Sequence, residues 1–326
     1  MKKLRLIYLG LGLCLAGCEK DVTPYYEAAV TPKMVMASRL VADSTFRVNL
    51  SRTVPLTGHD TLLFINDGEI TVSGGGDRRV LVPDGAGNYV SSSGVVAADT
   101  TYRIDCSAPG LEPVRAEVCV PGPFPLEGLQ MQVDEAYNVH IEIRLTDPPG
   151  PDYYALCAES WQEQVHTEYR PDTTLRRMVT IFDKVFMSLD GVVTEYTGGP
   201  FWFEEAGSRQ PAYGFDFYFS DRGFEGTTQK LHASFSLAQV YNDTLPQVTL
   251  HLMRKGPNLF RYIQSLAGYE PEPDLPVLQP QHIYTNVEQG MGLVTAEHRL
   301  KRSFPLDSWF DDPAFQQHLD SLGAMP

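Results

Sequence analysis

Few of the residues that build common catalytic or metal sites occur in this sequence. It has five cysteines and eight histidines among 326 residues, and it contains no H-E-x-x-H, G-x-S-x-G or C-x-x-C motif. His140 and Glu142 share one face of a predicted strand, but two donors do not make a zinc site. A calcium site at Asp307, Asp311 and Asp312 stays open as an alternative. We therefore predict a protein that is not an enzyme, with no catalytic residues, no cofactor and no metal.

Positive charge and long apolar runs are also scarce. The 26 Lys and Arg residues are outnumbered by 41 Asp and Glu residues, which gives a net charge of −15. Because the phosphates of a nucleic acid would repel such a chain, we expect no nucleic-acid partner. Beyond the N-terminus, no stretch approaches the ~18 consecutive apolar residues of a membrane span. Hydrophobic residues still make up 43% of the chain, which is enough to bury a core.

The N-terminal residues 1–18, MKKLRLIYLGLGLCLAGC, are typical of an export signal. Three cations precede an apolar segment of ten residues, which is too short to span a bilayer as an ordinary helix. Residues 15–18 resemble the lipobox of bacterial lipoproteins, and this resemblance implies cleavage before Cys18 and its lipidation with diacylglyceryl and acyl groups such as palmitate. Several acyl chains give a stable membrane anchor. The alternative is an ordinary secretory signal that happens to end in cysteine.

Short strand-like runs dominate the remainder, separated by many of the 27 glycines and 24 prolines, and they predict an all-β fold. Between residues 33 and 122 the runs recur about every 8–12 residues, as in an immunoglobulin-like sandwich. Three prolines at 121–125 cannot continue a sheet, so a larger antiparallel β domain with one or two short helices, at 258–267 and 313–322, begins after them. The predicted domains are a signal peptide (1–17), a lipid-anchored linker (18–32), an immunoglobulin-like β-sandwich (33–122), a larger β-rich domain (123–305) and a C-terminal tail with a short helix (306–326).

Three cysteines would remain free of lipid in the mature chain, and an odd number cannot all pair in disulfides. If Cys106 faces Val114 across a hairpin, Cys119 lies about 16 Å further along at the rise of a β-strand. A disulfide needs Cα atoms within about 7 Å of each other. We therefore expect Cys106 to be a small core residue with no bridge to Cys119.

Two later segments carry a family resemblance. Residues 219–226 (FSDRGFEG) and 281–293 (QHIYTNVEQGMGL), together with the lipobox, resemble the Bacteroidetes lipoprotein family catalogued as domain of unknown function 4249. The patterns of that family are F-x-D-x-x-F-x-G and N-I-x-x-G-x-G-(I/L), from which this chain departs at Gly223 and Val287. The resemblance implies an accessory to a TonB-dependent β-barrel transporter, anchored in the outer membrane. The charged residues 19–21 after the lipidated cysteine favour the cell surface over the periplasmic face.

The residues that carry these motifs are Asp221, Gly226, Asn286, Gly290 and Gly292. Glycines between strands allow a bulge or a tight turn with positive φ, and asparagine can hydrogen-bond nearby backbone, so these residues favour a structural role. The alternative is that they rim a ligand or partner site.

An aromatic segment at 196–203 is a second candidate contact. Its aromatic residues are Tyr196, Phe201, Trp202 and Phe203, which we place on a loop because Gly198, Gly199 and Pro200 lie among them. Aromatic residues dominate interface hot spots, so a ligand or a transporter could be bound here. Packing inside the protein is the alternative.

Six three-residue patterns match the sequence at which Bacteroidetes attach O-glycans to exported proteins, namely Asp, then Ser or Thr, then Ala, Ile, Leu, Met, Thr or Val. The candidate acceptors are Ser44, Thr61, Thr100, Thr173, Thr244 and Ser321. Turn chemistry is the alternative, because Asp followed by Thr commonly begins a strand after a turn.

Three functions remain in competition. The leading hypothesis is a non-enzymatic, lipid-anchored binding or accessory subunit of a TonB-dependent outer-membrane transporter, whose ligand the sequence does not identify. A structural or adhesive surface lipoprotein fits the immunoglobulin-like module equally well, because a fold does not determine a function. A secreted hydrolase with a dispersed site is the third, but its candidate carboxylate pairs are expected by chance among 41 acidic residues.

Overall fold

A computed structural model describes residues 31–54, 63–170, 173–198, 203–205, 212–241, 247–267 and 282–323. Five residues with predicted roles lie outside these ranges, and the predictions for them stay predictions. They are Cys18, Thr61, Phe201, Trp202 and Thr244.

Strands make up most of the described chain, which confirms the all-β class. In the first part they are β1 (Met34–Val41), β2 (Arg47–Arg52), β3 (Leu63–Phe64), β4 (Glu69–Gly74), β5 (Asp77–Val80), β6 (Val82–Gly85), β7 (Asn88–Val90), β8 (Thr100–Ser107) and β9 (Val114–Val120). They continue with β10 (Leu126–Val133), β11 (Asn138–Thr146), β12 (Tyr153–Arg170), β13 (Thr173–Lys184), β14 (Met187–Asp190), β15 (Thr194–Gly198), β16 (Phe203–Glu205), β17 (Ala212–Gly214), β18 (Asp216–Ser220), β19 (Thr228–Ser236), β20 (Gln247–Lys255), β21 (Val287–Glu288) and β22 (Met291–Pro305).

The helices among the described residues are short, as predicted. They are α1 (Pro257–Ala267), α2 (Asp307–Phe310), α3 (Pro313–Gly323) and a 3-10 turn at Leu237–Val240. Within the described ranges, none of the helices has the length and apolar character needed to cross a bilayer.

The described strands form three sheets. The largest has twelve strands in the order β16-β15-β18-β12-β20-β22-β1-β2-β7-β6, with β13 paired to β12 and β3 paired to β2. The other two have five strands each, in the orders β10-β11-β19-β14-β17 and β21-β9-β8-β4-β5. Strand β1 lies parallel to β22 although almost the whole chain separates them. The large sheet therefore draws on both ends of the sequence.

Two hydrophobic cores lie against this large sheet. In the first core, side chains from β1, β2, β8 and β9 pack together, among them the fully buried Met36, Val48 and Ile104. In the second core, strands β11, β12, β18 and β19 contribute, among others, the fully buried Ile141 and Phe217. Each core is closed on its other side by one of the five-stranded sheets, so both halves are sandwich-like.

The change from the first core to the second falls at the proline-rich segment. Val120 belongs to the first core and Phe124 to the second. The later residues Val287, Val294 and Ala296 return to the first core, whereas the sequence analysis placed them in the second region. They return because β22 pairs with β1 at one end and with β20 along the rest of its length.

The cysteine prediction rests on a register that the structure bears out. Cys106 lies opposite Val114, and Cys119 lies opposite Thr101, five pairs further along the same two strands. Cys106 is buried in the first core, where its thiol contacts the Met36 sulfur at 3.4 Å. Cys106, Cys119 and Cys157 are free thiols.

Candidate binding groove

A groove of about 930 Å³ runs along the outer surface of β1, on the face turned away from the first core. Alternation along the strand produces this face, because Met34, Met36 and Leu40 are buried in the core and the odd-numbered residues between them point outward. Val35, Ala37 and Arg39 therefore form the floor of the groove. Its volume lies in the range of about 300–1,000 Å³ that is usual for small-molecule sites.

Helix α1 forms one wall. Phe260 and Ile263 are each 1% exposed and anchor the helix, and the Phe260 ring lies 4.6 Å from the Tyr153 ring on the large sheet. The amphipathic spacing of the helix then leaves Leu259 and Tyr262 on the side that lines the groove. The second wall is formed by the segment 283–285 that precedes β21.

Side-chain hydrogen bonds hold that segment in place. The Tyr284 backbone N–H donates to Ser265 Oγ at 2.9 Å, and the Tyr284 hydroxyl donates to Asn258 Oδ1 at 2.8 Å. The Asn286 amide donates to the Val294 carbonyl and accepts from the Val294 N–H, both at 2.9 Å. This confirms that Asn286 hydrogen-bonds nearby backbone. These hydrogen bonds attach the chain that follows the second wall to β22.

Gly290 and Gly292 allow β22 to approach β1 closely. Gly292 has φ 111°, and a Cβ added there would lie 2.1 Å from the Met36 carbonyl oxygen. At Gly290, an added Cβ would lie 2.6 Å from a methyl carbon of Val114, although its φ is not positive. The prediction of positive φ is therefore confirmed for Gly292 and wrong for Gly290, where close packing is the reason for glycine.

One end of the groove is apolar and open. Met291 and Ile283 line it and are 47% and 44% exposed, among the largest exposures of bulky hydrophobic residues in the described chain. Leu293 continues this surface along β22 toward the middle of the groove. Leaving such side chains in water is unfavourable, so the end is suited to an apolar ligand.

Two arginines lie toward the other end. The antiparallel register of β1 and β2 places Ser38 opposite Val48, and extending that register by one step brings Arg39 beside Arg47. Both side chains are exposed and line the groove. Like charges directly across a strand pair repel each other. In the described chain, the ion pair recorded for either of them is a loose one, 3.7 Å from Arg47 to the exposed Asp84.

A nearby carboxylate is already neutralised by other cations. Glu297, two residues beyond the groove residue Thr295, is 1% exposed and pairs with Lys255 and Arg299. Burial raises its pKa, but the two cations more than offset burial and hold the pKa of Glu297 below its ordinary value. None of the described residues lining the groove is acidic, although 41 of the 326 residues are Asp or Glu. The groove is thus a local cationic site on an acidic protein.

The other family motif lies in the second region, where it joins two loops. The Asp221 carboxylate accepts the Asp152 N–H at 2.8 Å, and the Gly226 N–H donates to Asp147 at 2.8 Å. Arg254 binds both carboxylate oxygens of Asp152, at 2.7 and 2.6 Å. The three carboxylates are buried, and burial raises the pKa of Asp152 and of Asp221. Of the five motif residues, only Gly292 lines the groove.

The described residues of the aromatic segment, at its two ends, are strand rather than loop. Tyr196 lies in β15, 6% exposed, and Phe203 begins β16, paired with Gly198. The prediction of a loop across the whole segment is therefore wrong, because aromatic residues also favour strands and the glycines fall only at its centre. Buried Tyr196 packs inside the protein and is not a surface contact.

The described O-glycan candidates differ in their surroundings. Ser44 and Ser321 are exposed, Thr100 is partly buried, and Thr173 begins β13. Asp43 and Asp99, which precede Ser44 and Thr100, have φ 63° and 51°. Aspartate is enriched at positive φ, so turn geometry accounts for these two aspartates without a glycan. Ser44 also lines the groove.

The candidate metal ligands hydrogen-bond or stack with other protein groups. His140 Nε2 lies 3.0 Å from Asp134, and its ring stacks on His232 at 5.3 Å. Asp312 accepts the Ala314 N–H at 2.9 Å at the start of α3. Among the described residues, no three His, Cys, Asp or Glu side chains are grouped so that they could hold a metal ion.

No family model matches this chain, and no curated protein matches it either. The family resemblance carried by the two motifs therefore stays a prediction.

Sequence reasoning did not find the groove. Its floor comes from β1, and its two walls come from α1 and the segment 283–285, both of which lie far from β1 in the chain. One signal was available, because Ala37 and Arg39 on β1 and Arg47 and Asn49 on β2 are the outward members of alternating strands. Only the register of the two strands puts Arg39 beside Arg47.

Proposed function

We propose that this chain is a lipid-anchored lipoprotein of the outer membrane that acts as a non-enzymatic binding or accessory subunit of a TonB-dependent transporter. The lipobox ending at Cys18 and the two family motifs support the anchor and the partner. The surface of the cell is favoured over the periplasmic face by the charged residues that follow Cys18.

The observation that carries the binding role is the groove along β1. It has the volume of a small-molecule site and combines exposed apolar residues with two arginines. Its first strand begins at Met34, 16 residues after Cys18. At no more than about 3.6 Å per residue, the linker keeps the groove within ~60 Å of the anchor, which suits transfer to a membrane-embedded partner.

The alternative is a structural or adhesive surface lipoprotein. The sandwich around the first core suits that role as well, because the same fold serves many functions. It gives no reason, however, for two exposed arginines in a groove without an acidic lining residue, on a chain with a net charge of −15.

Purification of the native protein from its host in mild detergent tests the proposal. We expect a TonB-dependent β-barrel, identified by mass spectrometry, to co-purify in stoichiometric amount. The Cys18→Ala variant is expected to lose palmitate labelling and to leave the membrane fraction. Retained palmitate labelling would contradict the lipid anchor, and a native protein that purifies without a barrel would favour the adhesive alternative.

A further inference from the structure

We propose that the groove binds an amphiphile with an anionic head group, held between Arg39 and Arg47, and an apolar chain lying along β1 toward Met291. This inference rests on the proposed function only in assuming that the chain is a binding protein. It adds the chemical class of the ligand.

The head-group position follows from the register of β1 and β2. Opposed arginines on one face of an antiparallel pair repel each other, and an anion between them removes the repulsion. Guanidinium groups bind carboxylate and phosphate oxygens through short, charge-assisted hydrogen bonds. Glu297 cannot serve as that anion, because Lys255 and Arg299 already hold its two oxygens.

The apolar chain position follows from the strand direction. Outward residues of β1 between Arg39 and the open end are Ala37 and Val35, and Val35 lies beside Met291 on β22. Four residues of strand correspond to about 13 Å, the length available to an apolar chain. The small side chain of Ala37 leaves room for it, while Leu259 and Leu293 line the sides.

The two ends of the groove select for different parts of the same molecule. A free inorganic anion would satisfy the arginines but would leave Met291 and Ile283 exposed. A neutral or cationic amphiphile would cover the apolar end but would leave the arginine pair repelling. Only a ligand with both an anionic head group and an apolar chain satisfies the whole site. That head group is a carboxylate or a phosphate.

Equilibrium dialysis with radiolabelled dodecanoate provides the test, with the full-length lipidated protein in phosphatidylcholine nanodiscs and protein-free discs as the blank. We expect saturable binding of dodecanoate. Dodecyl phosphate should compete, whereas dodecyltrimethylammonium and inorganic phosphate should compete at least about tenfold less well, since each lacks one of the two interactions.

Two double variants distinguish the loss of the groove arginines from a change in the net charge of the protein. The double change Arg39→Gln, Arg47→Gln should weaken dodecanoate binding at least about tenfold, because it removes two charge-assisted hydrogen bonds. The matched control is Arg103→Gln, Arg115→Gln, which removes the same charge from an arginine pair around Asp105 outside the groove and should bind as the parent does. Ala37→Trp should block the chain, and Arg39→Lys should retain more affinity than Arg39→Gln.

Several outcomes would overturn the inference. These are no saturable dodecanoate binding, equal competition by the trimethylammonium compound, or equal loss in the Arg103 and Arg115 control. Circular dichroism of each variant excludes misfolding as the cause, and the Arg39→Lys variant keeps the comparison available if a glutamine variant unfolds. If the barrel co-purifies but dodecanoate does not bind, the ligand class is wrong and the proposed function stands.

Discussion

The two regions that share the large sheet treat their charged groups differently. In the second region, Arg254 and the carboxylate of Asp152 are largely buried together, and Arg254 donates to both carboxylate oxygens. Outside the first core, Arg39 and Arg47 line the open groove, where Arg47 makes a loose contact with the exposed Asp84 at 3.7 Å. Buried charges are tolerated when they are paired, whereas exposed charges without a close partner stay accessible to solvent. The comparison separates a buried, closely paired charged cluster from an exposed, loosely paired one.

Backbone packing at glycines differs from position to position rather than between the two regions. In the first region, an added Cβ on Gly292 would lie 2.1 Å from the Met36 carbonyl oxygen, where β22 approaches β1. In the second region, an added Cβ on Gly191 would lie 2.3 Å from the Lys230 carbonyl oxygen, whereas one on Gly128 would meet the Arg144 side chain only at 3.5 Å. A pair of glycines, one close to neighbouring backbone and one open, therefore tests what close approach requires.

The largest expected effect comes from Gly292→Ala. Its φ of 111° and the Met36 carbonyl 2.1 Å from an added Cβ both oppose the methyl group. We expect the free energy of unfolding to fall by about 4 kcal/mol in urea titration. The control Gly128→Ala should change it by no more than about 1 kcal/mol. Equal effects of the two changes would mean that the close approach to Met36 is not what requires glycine at position 292.

Arg254→Met should have the next largest effect. It leaves the buried Asp152 carboxylate without its cation, which costs about 3 kcal/mol. The matched change Arg103→Met removes an exposed arginine, whose side chain is 47% exposed, and should have a much smaller effect, because exposed ion pairs contribute little to stability. Thermal and urea unfolding of both variants measure the difference. A small effect at Arg254 would mean that the loop network is not what stabilises the second region.

Thiol reactivity compares the two cores without changing stability. Burial raises the pKa of Cys106 in the first core and of Cys157 beside the second to about 12 in each case. Cys119 is exposed. Because the thiolate is the reactive form, a disulfide reagent at neutral pH should modify Cys119 rapidly and the other two only after denaturation. Rapid reaction of Cys157 in the native protein would show that its strand opens locally.

A glycan at Ser44 would have the smallest effect on stability, because the residue is exposed. Intact-mass analysis of host-purified protein is expected to show added hexose mass that Ser44→Ala reduces, with stability changed by less than about 0.5 kcal/mol. A mass explained by polypeptide and lipid alone would contradict every one of the six candidate acceptors. Ser92→Ala is the control, because Ser92 is also exposed but does not follow an aspartate.

Local alternation made much of the fold predictable. The alternation of apolar and polar residues over 114–120 predicts a strand, and β9 has those bounds, with Val114, Ala116, Val118 and Val120 buried and the residues between them exposed. Helix α1 was likewise predicted to within one residue of its start, because its apolar residues recur at helical spacing. Such patterns lie within a few residues of each other and need no tertiary information.

The groove and the return of β22 to the first core could not be predicted in this way. Val35 pairs with Met291 across more than 250 residues, and no local pattern specifies a parallel partner at that distance. The prediction of a loop in the aromatic segment was wrong for another reason. Gly198 was taken as a sign of a loop, although it is the last residue of strand β15. A glycine in a strand is distinguished from a loop glycine only by its partner strand.

The parallel pairing of β1 with β22 has a consequence for the order in which the first core is completed. A chain made from its N-terminus has its first strand available at once, but the strand that lies beside it is made more than 250 residues later. Until then Val294 and Ala296 are missing from the first core, and one edge of β1 is open. Contacts of such long sequence separation form slowly, because a long loop must be closed before they form. The first core is therefore begun early in synthesis and completed only when β22 is added.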